Sequence, residues 1–200
     1  MITGAGSGVG LECARVFAAH GAKLLLVGRS ADKLETAVAT LADETKAQAA
    51  ICAGDVTDPA FATGAMAAAQ EAFAAPVEVL INNAGGQFPA PANVMAAKGW
   101  AAVINNNLNG TFYMSQKMAN SFFITQKEGT IVNITANVRN GFPGMAHTGA
   151  ARAGVENLTK TLGQEWANYN IRVNAVAPGT IATTGLDQYP PMIQDHFKQQ

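Results

Sequence analysis

The stretch Thr3-Gly4-Ala5-Gly6-Ser7-Gly8-Val9-Gly10 decides the fold. Its glycines recur at every second position, and the run opens directly into an alanine-rich helical pattern from about Val9 to His20, closed by Gly21. Glycine accepts positive φ and, without a Cβ, lets a ligand come up against the chain. The helix that starts here presents unpaired N–H groups and a partial positive charge, both suited to a phosphate. A glycine cluster also writes an ordinary turn, so the context has to come from the rest of the chain.

Outward from this loop, short apolar runs alternate with helical patterns. Lys23 to Val27 reads as a strand buried on both faces, ending in Gly28-Arg29-Ser30, and a helix follows from about Ala31 to Thr45. Ala49 to Gly54 reads as a second buried strand with Asp55-Val56 at its end, and Asp58-Pro59 starts a helix reaching about Ala74. Val77 to Ile81 is a strand running into Asn82-Asn83-Ala84-Gly85-Gly86. After a loop with Pro89 and Pro91, a long helix is expected from about Ala97 to Gln126. Thr130 to Thr135 is a strand, Thr148 to Asn168 a helix, and Ile171 to Ala177 a strand closed by Pro178-Gly179. Such alternation implies right-handed crossovers and a parallel sheet covered by helices on both faces. The expected fold class is therefore α/β: a three-layer, doubly wound, Rossmann-type sheet in one domain over residues 1–200. Ligands bind such sheets at the carboxyl ends of the strands. The glycine loop, Arg29, Asp55, Asn82-Asn83, Thr135 and Pro178-Gly179 all fall at those ends. Two residues before Thr3 are few for the strand such a loop follows, and no strand pattern appears after Tyr189. The expectation is a chain truncated at both ends.

Composition narrows the partners. The chain has 200 residues, 48% hydrophobic and 14% charged, with a formal net charge of −1. That supports one well-filled core and offers no basic field for nucleic acid or an anionic membrane. Cys13 and Cys52 lie in a helix pattern and a strand pattern, which favours free thiols in a reducing, cytoplasmic setting over a disulfide or a metal site. No apolar run reaches membrane length.

Four motifs in order now carry a resemblance: Thr3-Gly4-xxx-Gly8-x-Gly10, Asn82-Asn83-Ala84-Gly85, Asn107 within Asn107-Leu108-Asn109-Gly110, and Pro178-Gly179. Together they resemble the short-chain dehydrogenase/reductases over nearly the whole chain. Gly85-Gly86-Gln87-Phe88, Gly110 to Met114 and His147 to Val155 are most similar to the enoyl-CoA and 2,4-dienoyl-CoA reductases of that family. The resemblance implies a nicotinamide cofactor held by Thr3, Gly4, Ser7, Gly8, Val9 and Gly10, by Asp55 and Val56 at the adenine, by Asn83, Ala84 and Gly85, and by Pro178, Gly179 and Ile181. It also implies a homodimer or homotetramer through the helices near Trp100 to Phe123 and Thr148 to Trp166. A peroxisomal address would need a C-terminal targeting signal.

The departure from the family lies in its Tyr-x-x-x-Lys pair. Thr148 stands at the tyrosine position and Arg152 at the lysine position, one helical turn apart on one face. A phenol of pKa ~10 exchanges a proton with an alkoxide when a cation sits beside it, whereas an aliphatic hydroxyl only donates a hydrogen bond. Arginine stays charged, so Arg152 can grip ribose oxygens and stabilise negative charge without shuttling a proton. Alcohol–ketone interconversion is weakened by these changes. Reduction of a conjugated C=C suits them, because hydride goes to the β-carbon and donors stabilise the enolate on the thioester oxygen.

The expected function is an NADPH-dependent reductase of enoyl thioesters, with Asn107, Thr135, Thr148 and Arg152 as the catalytic group and no metal. A carbonyl reductase and a non-catalytic NADP-binding protein are the alternatives. NADPH is preferred over NADH because Gly28-Arg29-Ser30 offers a cation and no acid where a 2′-phosphate would sit, with Lys33 a turn away. Thr135 reads equally as a carbonyl-binding hydroxyl and as a β-branched strand end. Asn107, a poor helix former, favours a local backbone or water role. His147 reads as a hydrogen-bonded structural histidine, Tyr113 as core, and Glu156 as the ion-pair partner of Arg152. Gln87 to Pro89 and Ile181 to Met192 are candidate walls of an acyl pocket.

Overall fold

The computed structural model describes residues 1–183. Among them, six strands form one sheet: β1 (Ile2–Thr3), β2 (Leu24–Gly28), β3 (Ala49–Ala53), β4 (Val79–Asn82), β5 (Gly129–Ile134) and β6 (Ile171–Val176). Every pairing is parallel, and the spatial order is β3-β2-β1-β4-β5-β6. The order therefore reverses between β1 and β4, which is where a doubly wound sheet opens a crevice for a ligand. Although only two residues long, β1 is central: Ile2 pairs with Leu26 on one side and Ile81 on the other.

The helices begin where their sequences say they should. In α2 (Ala31–Thr45) the Ser30 hydroxyl accepts from the Lys33 N–H, and in α3 (Pro59–Phe73) the Asp58 carboxylate accepts from the Ala60 N–H, with Pro59 at the first helical position. The third strand departs from expectation. Read as buried on both faces, β3 lies at the edge of the sheet and is half-buried, because among the described residues no strand flanks it beyond β2. By contrast Leu24 to Val27 of β2 are fully covered. Each contributes about 2 kcal/mol of apolar burial, by alternating between the two faces.

Ile2, Leu24, Leu26 and Ile81 face one layer with Ala14 and Ala18 of α1 (Gly8–Ala19) and Leu34 and Leu41 of α2. Leu25, Val27, Leu80 and Ile131 face the other layer with Ala62, Ala65 and Met66 of α3 and Met114 and Met118 of α5 (Gly110–Met118). The long helix expected from Ala97 to Gln126 is right-handed throughout. It comprises α4 (Ala97–Ile104), α5 and α6 (Ile124–Gln126), joined by π turns at Asn105–Asn109 and Ala119–Phe123. The last helix, α7 (Ala146–Glu165), begins two residues before the expected start and places its first turns near α4 and the first π turn.

Candidate functional site

The N-terminus of α1 differs from those of α2 and α3. Ser7 makes no side-chain cap, and the first turn holds no acidic residue, so neither competes for the backbone N–H groups beside the glycine loop. Gly4 (φ 64°) and Gly8 (φ 55°) take the left-handed conformation that side chains resist. A Cβ on Gly10 would run into the Gly4 carbonyl and the Asn83 amide, so this position keeps the loop against β4. The loop thus fits a pyrophosphate: glycines clear the space and the helix N-terminus supplies donors.

Thr3 and Asn83 turn out to serve the loop itself. Thr3 is buried, and its hydroxyl oxygen accepts from the N–H groups of Asn83 (3.0 Å) and Ala84 (2.9 Å). The Asn83 amide donates back to the carbonyls of Thr3 (3.1 Å) and Gly4 (3.2 Å). These reciprocal bonds tie the end of β1 to the end of β4. The Thr3 hydroxyl and the Asn83 Nδ2 are thus committed to holding the loop. Arg29 and Lys33 are exposed at the carboxyl end of β2 and the start of α2. Asp55 is exposed, its carboxylate accepting from the Thr57 N–H at 2.9 Å, while Val56 is buried against Gly110, where a Cβ would meet the valine methyl at 2.7 Å. Pro178 is half-buried and Gly179 and Ile181 are exposed beyond β6. Of the expected acyl wall from Ile181 to Met192, residues after Thr183 lie outside the described residues.

Asn107 and Arg152 meet beneath Gly85. Asn107 sits in the first π turn, 1% exposed, with its amide donating to the carbonyls of Gly86 (2.7 Å) and Val103 (2.9 Å). This is the local backbone role expected of an asparagine inside a helix, and a π turn is a frequent companion of functional residues. Arg152 is 9% exposed and donates through Nη1 to the Ile134 carbonyl at 2.8 Å. A Cβ on Gly85 would strike Arg152 Nη2 and lie 2.6 Å from Asn107 Oδ1, so both polar ends reach the same point of the backbone. The expected Arg152–Glu156 ion pair is absent, and among the described residues no carboxylate pairs with Arg152. Burial alone lowers its pKa, to about 10, so the guanidinium keeps its charge at neutral pH.

Thr148 and Thr135 are less available than the sequence suggested. Thr148 is fully buried, with its hydroxyl 3.2 Å from His147 Nδ1, and Thr135 donates its hydroxyl to the Val176 carbonyl at 3.2 Å. Both expected substrate donors are therefore turned into the protein. His147 is itself fully buried, its Nδ1 accepting from the Thr148 N–H at 2.7 Å and its ring meeting Phe88 edge-on at 4.7 Å. With Nδ1 accepting, the ring proton sits on Nε2, which is buried without a partner. The structural reading of His147 agrees with this setting. Tyr113 packs against the core, as expected.

Sequence reasoning missed a buried chain of polar side chains linking Asn82, Ser115, Asn133 and Thr159. The available signals were weak: Asn133 interrupts the apolar strand Thr130 to Thr135, and Thr111 and Ser115 recur four residues apart on a helix otherwise rich in apolar residues.

A family model for short chain dehydrogenases matches residues 1–193. The chain belongs to the short-chain dehydrogenase family. Its members are oxidoreductases that use a nicotinamide cofactor. A probable 2,4-dienoyl-CoA reductase of Bacillus subtilis is 38% identical over 187 residues, covering 92% of this chain and 73% of that protein. A mouse peroxisomal 2,4-dienoyl-CoA reductase is 38% identical over 184 residues, covering 92% of this chain; the chain spans 62% of that relative's length. Gluconate 5-dehydrogenase of Gluconobacter oxydans is 35% identical over 185 residues, covering 92% of this chain and 71% of that protein. Among solved structures, an actinorhodin polyketide ketoreductase with NADPH superposes with a TM-score of 0.88 at 31% identity, over 98% of this chain and 74% of that chain. The doubly wound α/β fold expected from the sequence is thus the fold of the family. No helix of the described residues is long and apolar enough to cross a membrane.

Proposed function

We propose that this protein reduces the conjugated C=C bond of enoyl thioesters with NADPH. One observation carries the reading: a buried cation, Arg152, has no carboxylate partner among the described residues, and a threonine, Thr148, stands one helical turn before it. Such a site stabilises a developing oxyanion and lacks the acid that alcohol chemistry needs at oxygen. NADPH, when bound along the glycine loop, supplies the hydride. Hydride added at the β-carbon would leave the π electrons on the thioester oxygen, where Arg152 would stabilise the charge, and the α-carbon would then take a proton from water. Arg152 draws negative charge toward Gly85, and Asn107 holds the Gly86 carbonyl so that this end of the loop stays in register with α4 and α5. The names of the dienoyl-CoA reductases among the relatives support the substrate class.

Arg29 and Lys33 favour a 2′-phosphate over a free ribose hydroxyl. Arg29→Asp is expected to weaken NADPH binding about 100-fold and to reverse the preference toward NADH, by removing a cation and adding an acceptor. Fluorescence titration with both cofactors checks this. Unpaired Cys13 and Cys52 fit a reducing, cytoplasmic setting, and the exposed side chains of Val94 and Trp100 fit a homodimer or homotetramer.

The relationship to gluconate 5-dehydrogenase and to the ketoreductase favours a second reading, carbonyl reduction. Loss of NADPH absorbance in the presence of a trans-2-enoyl-CoA, against a panel of ketones, separates the two. Rapid ketone turnover without enoyl turnover would replace the first reading by the second.

A further inference from the structure

The buried chain of polar side chains lies on the same face of the sheet as Asn107 and Arg152, two helical turns below them. Asn82 on β4 donates from its amide to Ser115 Oγ on α5 (2.9 Å) and to Asn133 Oδ1 on β5 (2.9 Å). Asn133 donates in turn to Thr159 Oγ on α7 (2.9 Å). Asn82, Ser115, Asn133 and Thr159 are between 0% and 6% exposed. The chain thus runs from one helix through two adjacent strands to a second helix, in a layer otherwise filled by Met114, Met118, Ile131 and Val155.

Each end continues upward to a residue of the candidate site. On α5, the Ser115 hydroxyl donates to the Thr111 carbonyl and the Thr111 hydroxyl to the Asn107 carbonyl, at 2.7 and 3.0 Å, so these residues share one helical face. On α7, the Thr159 hydroxyl donates to the Val155 carbonyl at 2.7 Å, and Arg152 lies seven residues before Thr159, again on one face. Arg152 then bonds the carbonyl of Ile134, the residue after Asn133. Through the contacts around Gly85, Asn107 and Arg152 close the circuit at its top.

Such a chain has a particular physical consequence. The strands are already held in register by their backbone ladder, so side-chain bonds between β4 and β5 add nothing there. Helices packed on a sheet through methyl and methylene groups can slide by fractions of an ångström at little cost, because dispersion is non-directional. Hydrogen bonds from Asn82 to Ser115 and from Asn133 to Thr159 remove that freedom, since they fail when the helix shifts. A site built on two helices needs its groups held to within about 0.5 Å.

We propose that Asn82, Asn133, Ser115 and Thr159 form a positioning device that sets the spacing of Asn107 and Arg152 by locking α5 and α7 to adjacent strands. They touch neither substrate nor cofactor. The proposal rests on the reading of Asn107 and Arg152 as site residues, whichever substrate class is reduced.

Thr159 provides the test because its valine and serine variants separate hydroxyl from shape. In Thr159→Val the hydroxyl is lost and the volume kept; Thr159→Ser keeps the hydroxyl. Turnover is measured on the enoyl thioester or ketone that the unaltered chain reduces, so the ratio is independent of substrate identity. In parallel the Arg152 Nε–H resonance is followed by NMR on the 15N-labelled chain, which needs no turnover. Thr159→Val is expected to lower kcat about tenfold with KM unchanged and to shift the Arg152 resonance, whereas Thr159→Ser leaves both near their original values. If Thr159→Val fails to fold, Thr159→Ala, whose smaller side chain leaves room for a water on the Asn133 amide, takes its place under the same expectation. An unmoved Arg152 resonance together with an unchanged kcat, or equal losses in the valine and serine variants, would overturn the proposal.

Discussion

Replacing Arg152 by Met is expected to lower turnover by about 10²- to 10³-fold while leaving folding stability within about 1 kcal/mol of the unaltered chain. The asymmetry follows from how the guanidinium is held. It is buried, bonded through Nη1 to the Ile134 carbonyl, and without a carboxylate among the described residues to compensate its charge. Desolvation lowers its pKa from the ordinary arginine value to about 10. A cation whose folded pKa lies below its unfolded value costs the fold stability at every pH below about 10, and the cost disappears as pH rises through the unfolded value. Methionine has similar length and carries no charge, so it relieves that cost while losing one hydrogen bond, and the two changes nearly offset. Urea denaturation and steady-state kinetics on the same preparation check both halves. A variant that loses stability in proportion to its activity would make Arg152 a structural cation.

Gly85→Ala is expected to lower kcat about 100-fold with a stability loss of only about 1 kcal/mol. Gly85 is exposed and its φ lies outside the left-handed region, so its backbone accepts an alanine. The added Cβ would instead strike Arg152 Nη2 and crowd Asn107 Oδ1. Neither side chain can swing aside freely, because Arg152 is tied to Ile134 and Asn107 to Gly86 and Val103. One methyl group thus displaces both polar ends at once. A displacement of about 1 Å in such a cluster is enough for that loss of rate. Kinetics alongside a melting curve read it directly, and an unimpaired kcat would mean that the two groups do not act at Gly85.

Much of this fold is legible from residues alone because local signals and the global pattern agree. Ser30 and Asp58-Pro59 announce their helices, and the apolar run Leu24 to Val27 announces a strand covered on both sides. The same composition misleads at Ala49 to Ala53, where small apolar residues suit a central strand and equally an edge; strand order decides, and no local residue encodes it. The site was legible by position and less so by orientation. Spacing put Thr148 and Arg152 on one face, yet whether a hydroxyl points out or in depends on neighbours such as His147 and Val176 that are distant in sequence or face another way. The Arg152–Glu156 pair failed for the same reason: i,i+4 spacing permits an ion pair and does not require it. The chain from Asn82 to Thr159 joins residues on four separate elements, which periodicity cannot anticipate.

The central claim is that hydride reaches the β-carbon of an enoyl thioester. Its most direct measurement uses NADPH carrying deuterium in the transferred position, a trans-2-enoyl-CoA, and NMR of the acyl product. The account predicts a saturated thioester with deuterium at the β-carbon and a solvent proton at the α-carbon. Deuterium found on a carbinol carbon from a ketone, with no saturated thioester formed from the enoyl substrate, would contradict it.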